Sequence, residues 1–477
     1  MTDADSARGE QVASEVAALV ARARGAQRVI DGWDQRRVDE LVTAAGWAIV
    51  EPSRNRALAE LAVRDTGLGN VDDKIAKNRR KTIGLLRDLA GARSVGIIEE
   101  DASRGLVTIA RPVGVVAAVT PSTNPGATPA NNLINALKGR NAIVFAPSPK
   151  GASTLALLIG YVHTELDRVG APRDLVQMLP TPVSREHTQA LMRAADLVVA
   201  TGSRNNVRAA YASGTPALGV GAGNVSVIVD ETADVEAAAR DIARSKTFDH
   251  ATSCSSENSV IAVDAVAERL LEAFAREGGA LLNAAEAARL QQTMFPNGQL
   301  SPAVTAQSAA TIARLAGLDR PAVTAARFLV VAESGVGAAH PFSGEKLSPV
   351  LAFYRAKDFD AAAALASRIL DYQGAGHSIG VHTRDAGRPV ALGLALPVCR
   401  VIVNQAHCFA TGGSFDNALP FSLSMGCGTW GRNSFSDNLN YRHFLNLTRV
   451  VRPLDPARVR EPTDDELFGA YRRRHGA

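Results

Sequence analysis

The feature that most constrains the fold is a long alternation of short apolar runs with helical stretches, which begins near residue 113 and continues to residue 229. Runs such as Val113–Thr120 and Ala142–Phe145 are rich in valine and alanine and carry no charge, as is typical of strands buried on both faces. Roughly ten to fifteen residues with helical character separate successive runs. This alternation predicts βαβ units around a parallel sheet.

A second alternation follows residue 250, so the chain is predicted to hold two parallel sheets. Its strand-like segments span residues 259–263, 328–331, 350–354, 379–382 and 400–404. We expect an α/β fold with a Rossmann-like nucleotide-binding domain over residues 1–249 and a catalytic domain over residues 250–429. Residues 430–477 are predicted to return to the first domain and to end in an arginine-rich tail.

The composition excludes several classes of partner. The net charge is only +4 and aromatic residues make up 5% of the chain, so we expect no binding of nucleic acid. No apolar run approaches the roughly twenty residues of a membrane span, and the acidic N-terminus lacks the apolar segment of a signal peptide. The four cysteines form no CxxC pair, so we expect no metal site and no disulfide. These features together predict a cytoplasmic protein.

Cys254 lies between a predicted helix and a predicted strand, within a run of small hydroxyl-bearing residues. Such a loop leaves a thiolate accessible and supplies hydrogen-bond donors that stabilise it. A free cysteine is also commonly a buried structural residue. The loop alone therefore leaves both interpretations of Cys254 open.

Five short motifs resemble those of the acylating, coenzyme A-dependent aldehyde dehydrogenases. They lie at residues 121–125, 219–224, 248–259, 345–349 and 426–431. The resemblance extends from about residue 10 to about residue 450. It is greatest to acylating sulfoacetaldehyde dehydrogenases, and coenzyme A-dependent succinate-semialdehyde dehydrogenases are nearly as similar. The resemblance implies that Cys254 is the catalytic nucleophile.

The resemblance implies a reaction in two stages. The Cys254 thiolate adds to the aldehyde carbon, and the resulting alkoxide expels hydride to NAD or NADP and leaves a thioester. The thiol of coenzyme A then takes the acyl group. The alkoxide needs donors positioned in advance, and the resemblance implies the backbone N–H of Cys254 and the side-chain amide of Asn124. Because asparagine also favours turns, a turn role before Pro125 is the alternative for Asn124.

A missing carboxylate bears on the acyl acceptor. Hydrolytic members of the wider family carry a glutamate ahead of two glycines, which activates the deacylating water. The corresponding segment here, residues 217–224, contains no carboxylate. Because a thiol loses its proton more readily than water does, this favours transfer to coenzyme A, with a hydrolytic enzyme as the alternative. The nearby Glu257 matches the acylating pattern, and we expect a structural or orienting role for it.

Several residues are expected to bind the nicotinamide cofactor. Thr201, Gly202 and Ser203 follow a predicted strand and open a helix, which presents backbone N–H groups to a pyrophosphate. A plain strand–helix turn is the alternative for this segment. The resemblance implies that the loop containing Gly221 lies near the nicotinamide and that Glu345 holds the adjoining ribose. A solvated carboxylate at a helix end is the alternative for Glu345.

The loop after Phe145 bears on the choice between NAD and NADP. Related enzymes that prefer NAD often place a glutamate here against the ribose 2′-hydroxyl, but residues 146–150 contain none. Ser148 and Lys150 are suited to a 2′-phosphate instead. The loop therefore favours NADP.

The aldehyde is predicted to carry an anionic end, as sulfoacetaldehyde and succinate semialdehyde both do; a short aliphatic aldehyde is the alternative. Arg432 stands where acetaldehyde-specific relatives usually have glycine, and a guanidinium suits a sulfonate or carboxylate. A surface or interface ion pair is the alternative for Arg432. His407 and Ser414 are further candidate donors to the substrate. His377 corresponds to a histidine of the acylating branch, where it either assists deprotonation of coenzyme A or lines the pocket.

Two segments resemble the small oligomerisation element of the family. They are a hairpin predicted over residues 95–110 and a strand predicted near residues 448–451. We therefore expect a homodimer or homotetramer whose other partners are a small aldehyde and coenzyme A.

Overall fold

The computed structural model describes residues 3–476, except for the side chains of residues 3–7 and 458. Its strands are β1 (Gly96–Asp101), β2 (Leu106–Pro112), β3 (Val115–Thr120), β4 (Ala142–Pro147), β5 (Val176–Met178), β6 (Leu197–Thr201), β7 (Ala217–Val220), β8 (Val225–Val229), β9 (Glu257–Val263), β10 (Gly279–Leu281), β11 (Phe328–Ala332), β12 (Val350–Ala356), β13 (Ile379–His382), β14 (Val401–Val403) and β15 (Leu445–Val451). Its α-helices are α1 (Asp3–Asp31), α2 (Gln35–Val50), α3 (Pro52–Thr66), α4 (Val71–Leu89), α5 (Ala127–Lys138), α6 (Ala152–Arg168), α7 (Arg185–Ala194), α8 (Arg204–Tyr211), α9 (Val235–Thr247), α10 (Asp264–Arg276), α11 (Ala284–Met294), α12 (Ala309–Leu315), α13 (Pro321–Thr324), α14 (Phe359–Tyr372), α15 (Gly387–Ala395), α16 (His407–Ala410) and α17 (Asp464–His475).

Four helices, α1 to α4, precede the first strand. Asp34, Glu51 and Asn70 stand directly before α2, α3 and α4, and each side chain accepts a backbone N–H of the first turn. These bonds satisfy donors that a helix start leaves unpaired, which explains why the helices begin there. The apolar faces of α1, α2 and α4 share one core with β3 and β4.

The first large sheet has the strand order β5-β4-β3-β6-β7, and all its strands are parallel. Every residue of β3 and β4 is buried, which accounts for their uncharged sequences. The strand order reverses between β3 and β6, and ligands of such sheets bind outside the carboxyl ends of the strands at this point. The predicted α/β fold is confirmed.

The second large sheet has the order β10-β11-β12-β9-β8-β13-β14 and is also parallel. It contains β8, which the sequence analysis assigns to the nucleotide-binding domain. The chain therefore changes sheet at residues 221–224, between β7 and β8, and not at residue 249. Because β8 is apolar and fully buried, its local pattern fits the middle of either sheet, and only the pairing with β9 and β13 decides between them.

A third, antiparallel sheet has the order β1-β2-β15. The predicted hairpin corresponds to β1 and β2, and the predicted late strand corresponds to β15. As an edge strand, β15 exposes Leu447, Val450 and Val451, the last with 71% of its surface accessible. Exposed apolar side chains on an unpaired edge are typical of surfaces that pair with another chain.

No helix within residues 3–476 is long and apolar enough to cross a membrane. In the same part of the chain, no group of three His, Cys, Asp or Glu side chains is arranged to hold a metal ion. All four cysteines have free thiols.

Candidate active site

A cavity of about 510 Å³ is lined by residues that come from both large sheets. The first sheet contributes the carboxyl ends of three strands through Thr120, Thr201 and Val220. Cys254 and Glu345 reach the same cavity from loops that adjoin β9 and β12 in the second sheet. The cavity thus lies at the edge of the first sheet where its strand order reverses.

Cys254 lies in the turn that leads into β9. The backbone before it follows a left-handed course, since φ is 49° at Asp249, 49° at His250 and 58° at Ala251. Non-glycine residues rarely adopt this conformation, so surrounding contacts must hold it. Gly223 comes so close that a β-carbon there would collide with the carbonyl oxygen of Cys254. The cysteine turn and the glycine loop are therefore in backbone contact.

The Cys254 sulfur has a histidine partner. Sγ lies 3.4 Å from Nε2 of His377, and Nδ1 of that ring lies 2.7 Å from the Ser378 hydroxyl. Burial raises the pKa of the Cys254 thiol to about 12 and lowers the pKa of the His377 imidazole to about 3. In the free protein the proton therefore stays on sulfur and the ring is neutral. A neutral ring that donates from Nδ1 to Ser378 offers Nε2 as an acceptor for the thiol proton.

Asn124 is oriented by a buried ion network that the sequence analysis missed. Lys77 Nζ donates to Asn124 Oδ1 at 2.8 Å, to Asp249 Oδ2 at 2.5 Å and to Thr252 Oγ1 at 2.9 Å. Lys74 Nζ donates to the same Asp249 oxygen at 3.1 Å. Because the Asn124 carbonyl oxygen accepts from Lys77, its NH₂ group is the part left to face a ligand in the cavity.

Asp249 carries the negative charge of this network. Burial disfavours its charged form, but the ammonium groups of Lys77 and Lys74 outweigh burial and hold the pKa of Asp249 below its usual value. The carboxylate also accepts the backbone N–H of Asn70 at 3.0 Å, at the start of α4. One carboxylate therefore links the left-handed cysteine turn to α4. The sequence signal was present, since Lys74 and Lys77 are one helical turn apart and face the same side.

Most of the residues predicted to bind the cofactor line the cavity. Thr201, Gly202, Ser203, Gly221 and Ser148 all line it. Ser203 caps α8 and lines the cavity, so the N-terminus of this helix, which favours anions, adjoins the cavity. The Ser148 hydroxyl is buried and has no hydrogen-bond partner among the described residues. A buried hydroxyl without a partner fits a site that a polar ligand completes.

Glu345 is the sole carboxylate among the described residues that line the cavity. Burial raises its pKa to about 7, although the backbone N–H of Gly223 donates to it and favours the charged form. Glu257 does not reach the cavity. It is fully buried at the start of β9, and its Oε1 accepts the backbone N–H of His407 at 3.2 Å. The second carboxylate near the nucleophile therefore links the start of β9 to the start of α16.

Comparisons with known proteins identify the family. Residues 7–319 match the model of the aldehyde dehydrogenase family. The chain belongs to this family. A relative named sulfoacetaldehyde dehydrogenase (acylating), from Cupriavidus necator, is 60% identical over 467 residues, which cover 98% of this chain and 94% of the relative. An acetylating succinate-semialdehyde dehydrogenase from Clostridium kluyveri is 38% identical, with 94% and 98% covered.

Solved structures of aldehyde dehydrogenases agree with this assignment. An acetylating aldehyde dehydrogenase from Geobacillus thermoglucosidasius has a TM-score of 0.90 and 35% identity, covering 95% of this chain and 99% of that one. A propionaldehyde dehydrogenase from Rhodopseudomonas palustris, with coenzyme A bound and a cysteine acylated, has a TM-score of 0.81 and 25% identity, with 92% and 97% covered. These matches confirm the resemblance drawn from the five motifs.

Five residues predicted for this aldehyde dehydrogenase site do not line the cavity. One is His377, which is fully buried and reaches the site through its contact with the Cys254 sulfur. Lys150 and Arg432 are exposed. Arg432 has φ 57°, in the left-handed region that favours glycine. The His407 ring is buried, with Nδ1 2.9 Å from the Ser255 carbonyl. The Ser414 hydroxyl is held by the Arg80 guanidinium at 2.6 Å and by Asp416.

Proposed function

We propose that this aldehyde dehydrogenase oxidises a short anionic aldehyde to its coenzyme A thioester, with NADP as hydride acceptor. The observation that carries the proposal is a single cavity on which Cys254, Asn124 and the nucleotide turn at Gly202 converge, beside a glycine loop without a carboxylate. The acylating names of the relatives support thiol transfer over hydrolysis. Sulfoacetaldehyde is the proposed substrate because the relative with 60% identity is named for it.

The first half-reaction forms a carbon–sulfur bond. The thiol proton of Cys254 passes to Nε2 of His377 as sulfur adds to the aldehyde carbon, and the aldehyde oxygen becomes an alkoxide. The backbone N–H of Cys254 and the Asn124 amide are the proposed donors to that oxygen. When the carbonyl re-forms, hydride leaves and an acyl thioester remains on Cys254. NADP, when bound, accepts this hydride, and the proton on His377 is released to solvent.

The second half-reaction exchanges one thioester for another. The sulfur of coenzyme A attacks the acyl carbon, the bond to Cys254 breaks, and the proton of the incoming thiol returns to Cys254 sulfur through His377. No water is consumed. Because a thiol of ordinary pKa ionises readily, this attack requires no dedicated carboxylate.

The nucleotide preference is proposed from a second cavity. It has a volume of about 660 Å³ and shares Ser148 with the first cavity. Arg185 lines it, and no carboxylate is found among its described lining residues. A guanidinium favours a 2′-phosphate, whereas NAD-preferring sites commonly use a carboxylate against the 2′-hydroxyl. We therefore propose that the first large sheet and its helices form the nucleotide domain and that NADP binds better than NAD.

The test is nucleotide reduction with sulfoacetaldehyde, in the presence and absence of coenzyme A. With coenzyme A we expect continuous formation of NADPH and of sulfoacetyl-coenzyme A, detected by mass spectrometry. Without it we expect one rapid turnover per subunit and then arrest. Cys254→Ala should abolish both phases, whereas the matched variant Cys399→Ala, a free cysteine outside the cavity lining, should retain them. Equal continuous rates with and without coenzyme A would support the hydrolytic alternative.

We also propose that the edge of the third sheet joins subunits into a homodimer or homotetramer. The exposed apolar residues of β15 support this, since edge strands with such residues pair readily. Light scattering after size exclusion tests it. Val451→Lys should then lower the measured mass, and an unchanged mass would argue against this surface.

A further inference from the structure

Helix α4 turns three lysines toward the protein interior. Lys74, Lys77 and Lys81 lie three and four residues apart, and all three are buried. Lysine side chains are almost never buried without a partner. Lys74 and Lys77 share Asp249 as their ionic partner. The third lysine therefore requires its own explanation.

Lys81 has no carboxylate within ion-pair distance among the described residues, and 8% of its surface is accessible. Its Nζ donates one hydrogen bond, to the carbonyl oxygen of Gly412 at 2.7 Å. An ammonium has three donors, so the other two have no partner in this part of the chain. Lys81 lines the same cavity as Cys254. A buried cation with free donors is thus part of the wall of the cavity that contains the nucleophile.

The surroundings make the free ammonium costly. Burial lowers the pKa of Lys81 to about 7, and the positive charge of Arg80 lowers it further. The Phe421 ring lies 5.6 Å from Nζ, which supplies a weak attraction but no acceptor. An anion placed against Nζ would remove this cost, because it restores the charge pairing that the fold does not provide.

The other cations near the cavity are already engaged or lie elsewhere. Arg204 lines the cavity from the nucleotide turn, next to Ser203. Arg80 donates to the Ser414 hydroxyl and to the Phe409 carbonyl. Among the described residues that line the cavity, Lys81 is therefore the cation that does not belong to the nucleotide turn. It is thus the cation that a substrate could contact without displacing a nucleotide bound at that turn.

We propose that Lys81 binds the anionic end of the aldehyde substrate and determines the preference for sulfoacetaldehyde over neutral aldehydes. The proposal rests on the proposed function, since it presupposes an anionic aldehyde. Lys81 thus takes the anion-binding role that is expected of Arg432 from the sequence. A sulfonate oxygen would accept from Nζ while the carbonyl carbon, two bonds from sulfur in the substrate, faces Cys254. A carboxylate one methylene further away would be held by the same chemistry.

The test compares kcat/KM for sulfoacetaldehyde and for propionaldehyde, with NADP and coenzyme A saturating. Lys81→Met should lower the value for sulfoacetaldehyde by roughly tenfold to a hundredfold, because a charge-assisted hydrogen bond is lost. It should leave the value for propionaldehyde unchanged or raise it. Replacing an unpaired buried charge with an apolar chain of similar length should not lower Tm. The matched variant Arg432→Gly should keep the wild-type ratio.

The possible results distinguish a failure of the Lys81 proposal from a failure of the proposed function. Equal losses for both aldehydes, or no loss for either, would overturn the role of Lys81. If the wild-type enzyme itself prefers propionaldehyde but still requires coenzyme A, the proposal of an anionic substrate is refuted, whereas the proposal of acyl transfer to coenzyme A is supported. If Lys81→Met does not fold, Lys81→Gln makes the same comparison, since it keeps a donor for Gly412 without the charge.

Discussion

Replacing Lys77 by methionine tests whether the Lys77 ammonium holds the Asn124 amide in the orientation that an oxyanion needs. Lys77 Nζ donates to Asn124 Oδ1 at 2.8 Å and also contacts Asp249 and Thr252. Methionine has a similar length and no charge, so it removes these bonds without leaving a large cavity. Asp249 keeps Lys74 as an ionic partner at 3.1 Å. We therefore expect the variant to fold.

The size of the effect follows from the bond that is lost. A hydrogen bond from a charged donor contributes about 1.5–3 kcal/mol, which corresponds to a roughly tenfold to hundredfold lower population of correctly oriented Asn124. Removing an oxyanion donor altogether lowers kcat by about a hundredfold to a thousandfold. Lys77→Met should therefore lower kcat by roughly tenfold to a hundredfold, and Asn124→Ala should lower it further.

The assay is kcat at saturating aldehyde, NADP and coenzyme A for the two single variants and the double variant. If Lys77 acts through Asn124, the double variant should match Asn124→Ala to within about twofold. Lys74→Met is the matched control, because it loses a bond to the same carboxylate but its ammonium contacts the Thr123 carbonyl and not Asn124. Losses that multiply in the double variant would refute this reasoning.

Because burial raises the pKa of Cys254 to about 12, alkylation of the free enzyme by iodoacetamide should accelerate about tenfold per pH unit from pH 7 to 10; a plateau near pH 8 would contradict this. His377→Ala removes the acceptor 3.4 Å from Sγ and should lower kcat by about a hundredfold or more, so an unchanged kcat would exclude it as a base. Gly223→Ala should lower kcat by at least about tenfold, since its β-carbon collides with the Cys254 carbonyl. The control is Gly25→Ala, at an open position of α1. Chemical denaturation should show that it stabilises the fold by up to about 1 kcal/mol, and steady-state rates should show an unchanged kcat.

The alternation of apolar and helical segments was enough to predict two parallel sheets, because buried parallel strands leave a strong local pattern. No local sequence pattern shows which of the two sheets a strand joins. β8 is apolar throughout, and its assignment depends on its pairing with β9 and β13. These contacts bring together segments far apart in the sequence, which explains why the position of the change between sheets was mispredicted.

The residues of the active site also differ in how far the sequence alone predicts them. Cys254, Asn124 and Glu345 stand in short motifs, so a resemblance could locate them, and all three line one cavity. Lys77 and Asp249 are 172 residues apart, and neither stands out alone, since a row of lysines on a helix usually faces solvent. Arg432 has suitable chemistry for an anion, but its left-handed backbone and exposed side chain put it outside the cavity lining. Residue type indicates which chemistry a side chain can perform, whereas its burial and direction depend on the fold.

The glycine loop between the sheets has a consequence for how such enzymes change over evolutionary time. A β-carbon at Gly219 would meet Tyr211 and Val207 at 2.7 Å, and one at Gly223 would collide with Cys254. At Gly221 the nearest atoms would be 3.7 Å away or further, and φ there is not in the left-handed region. Over evolutionary time, a side chain can therefore be added to this loop most readily at Gly221, where a β-carbon meets its neighbours at ordinary contact distance.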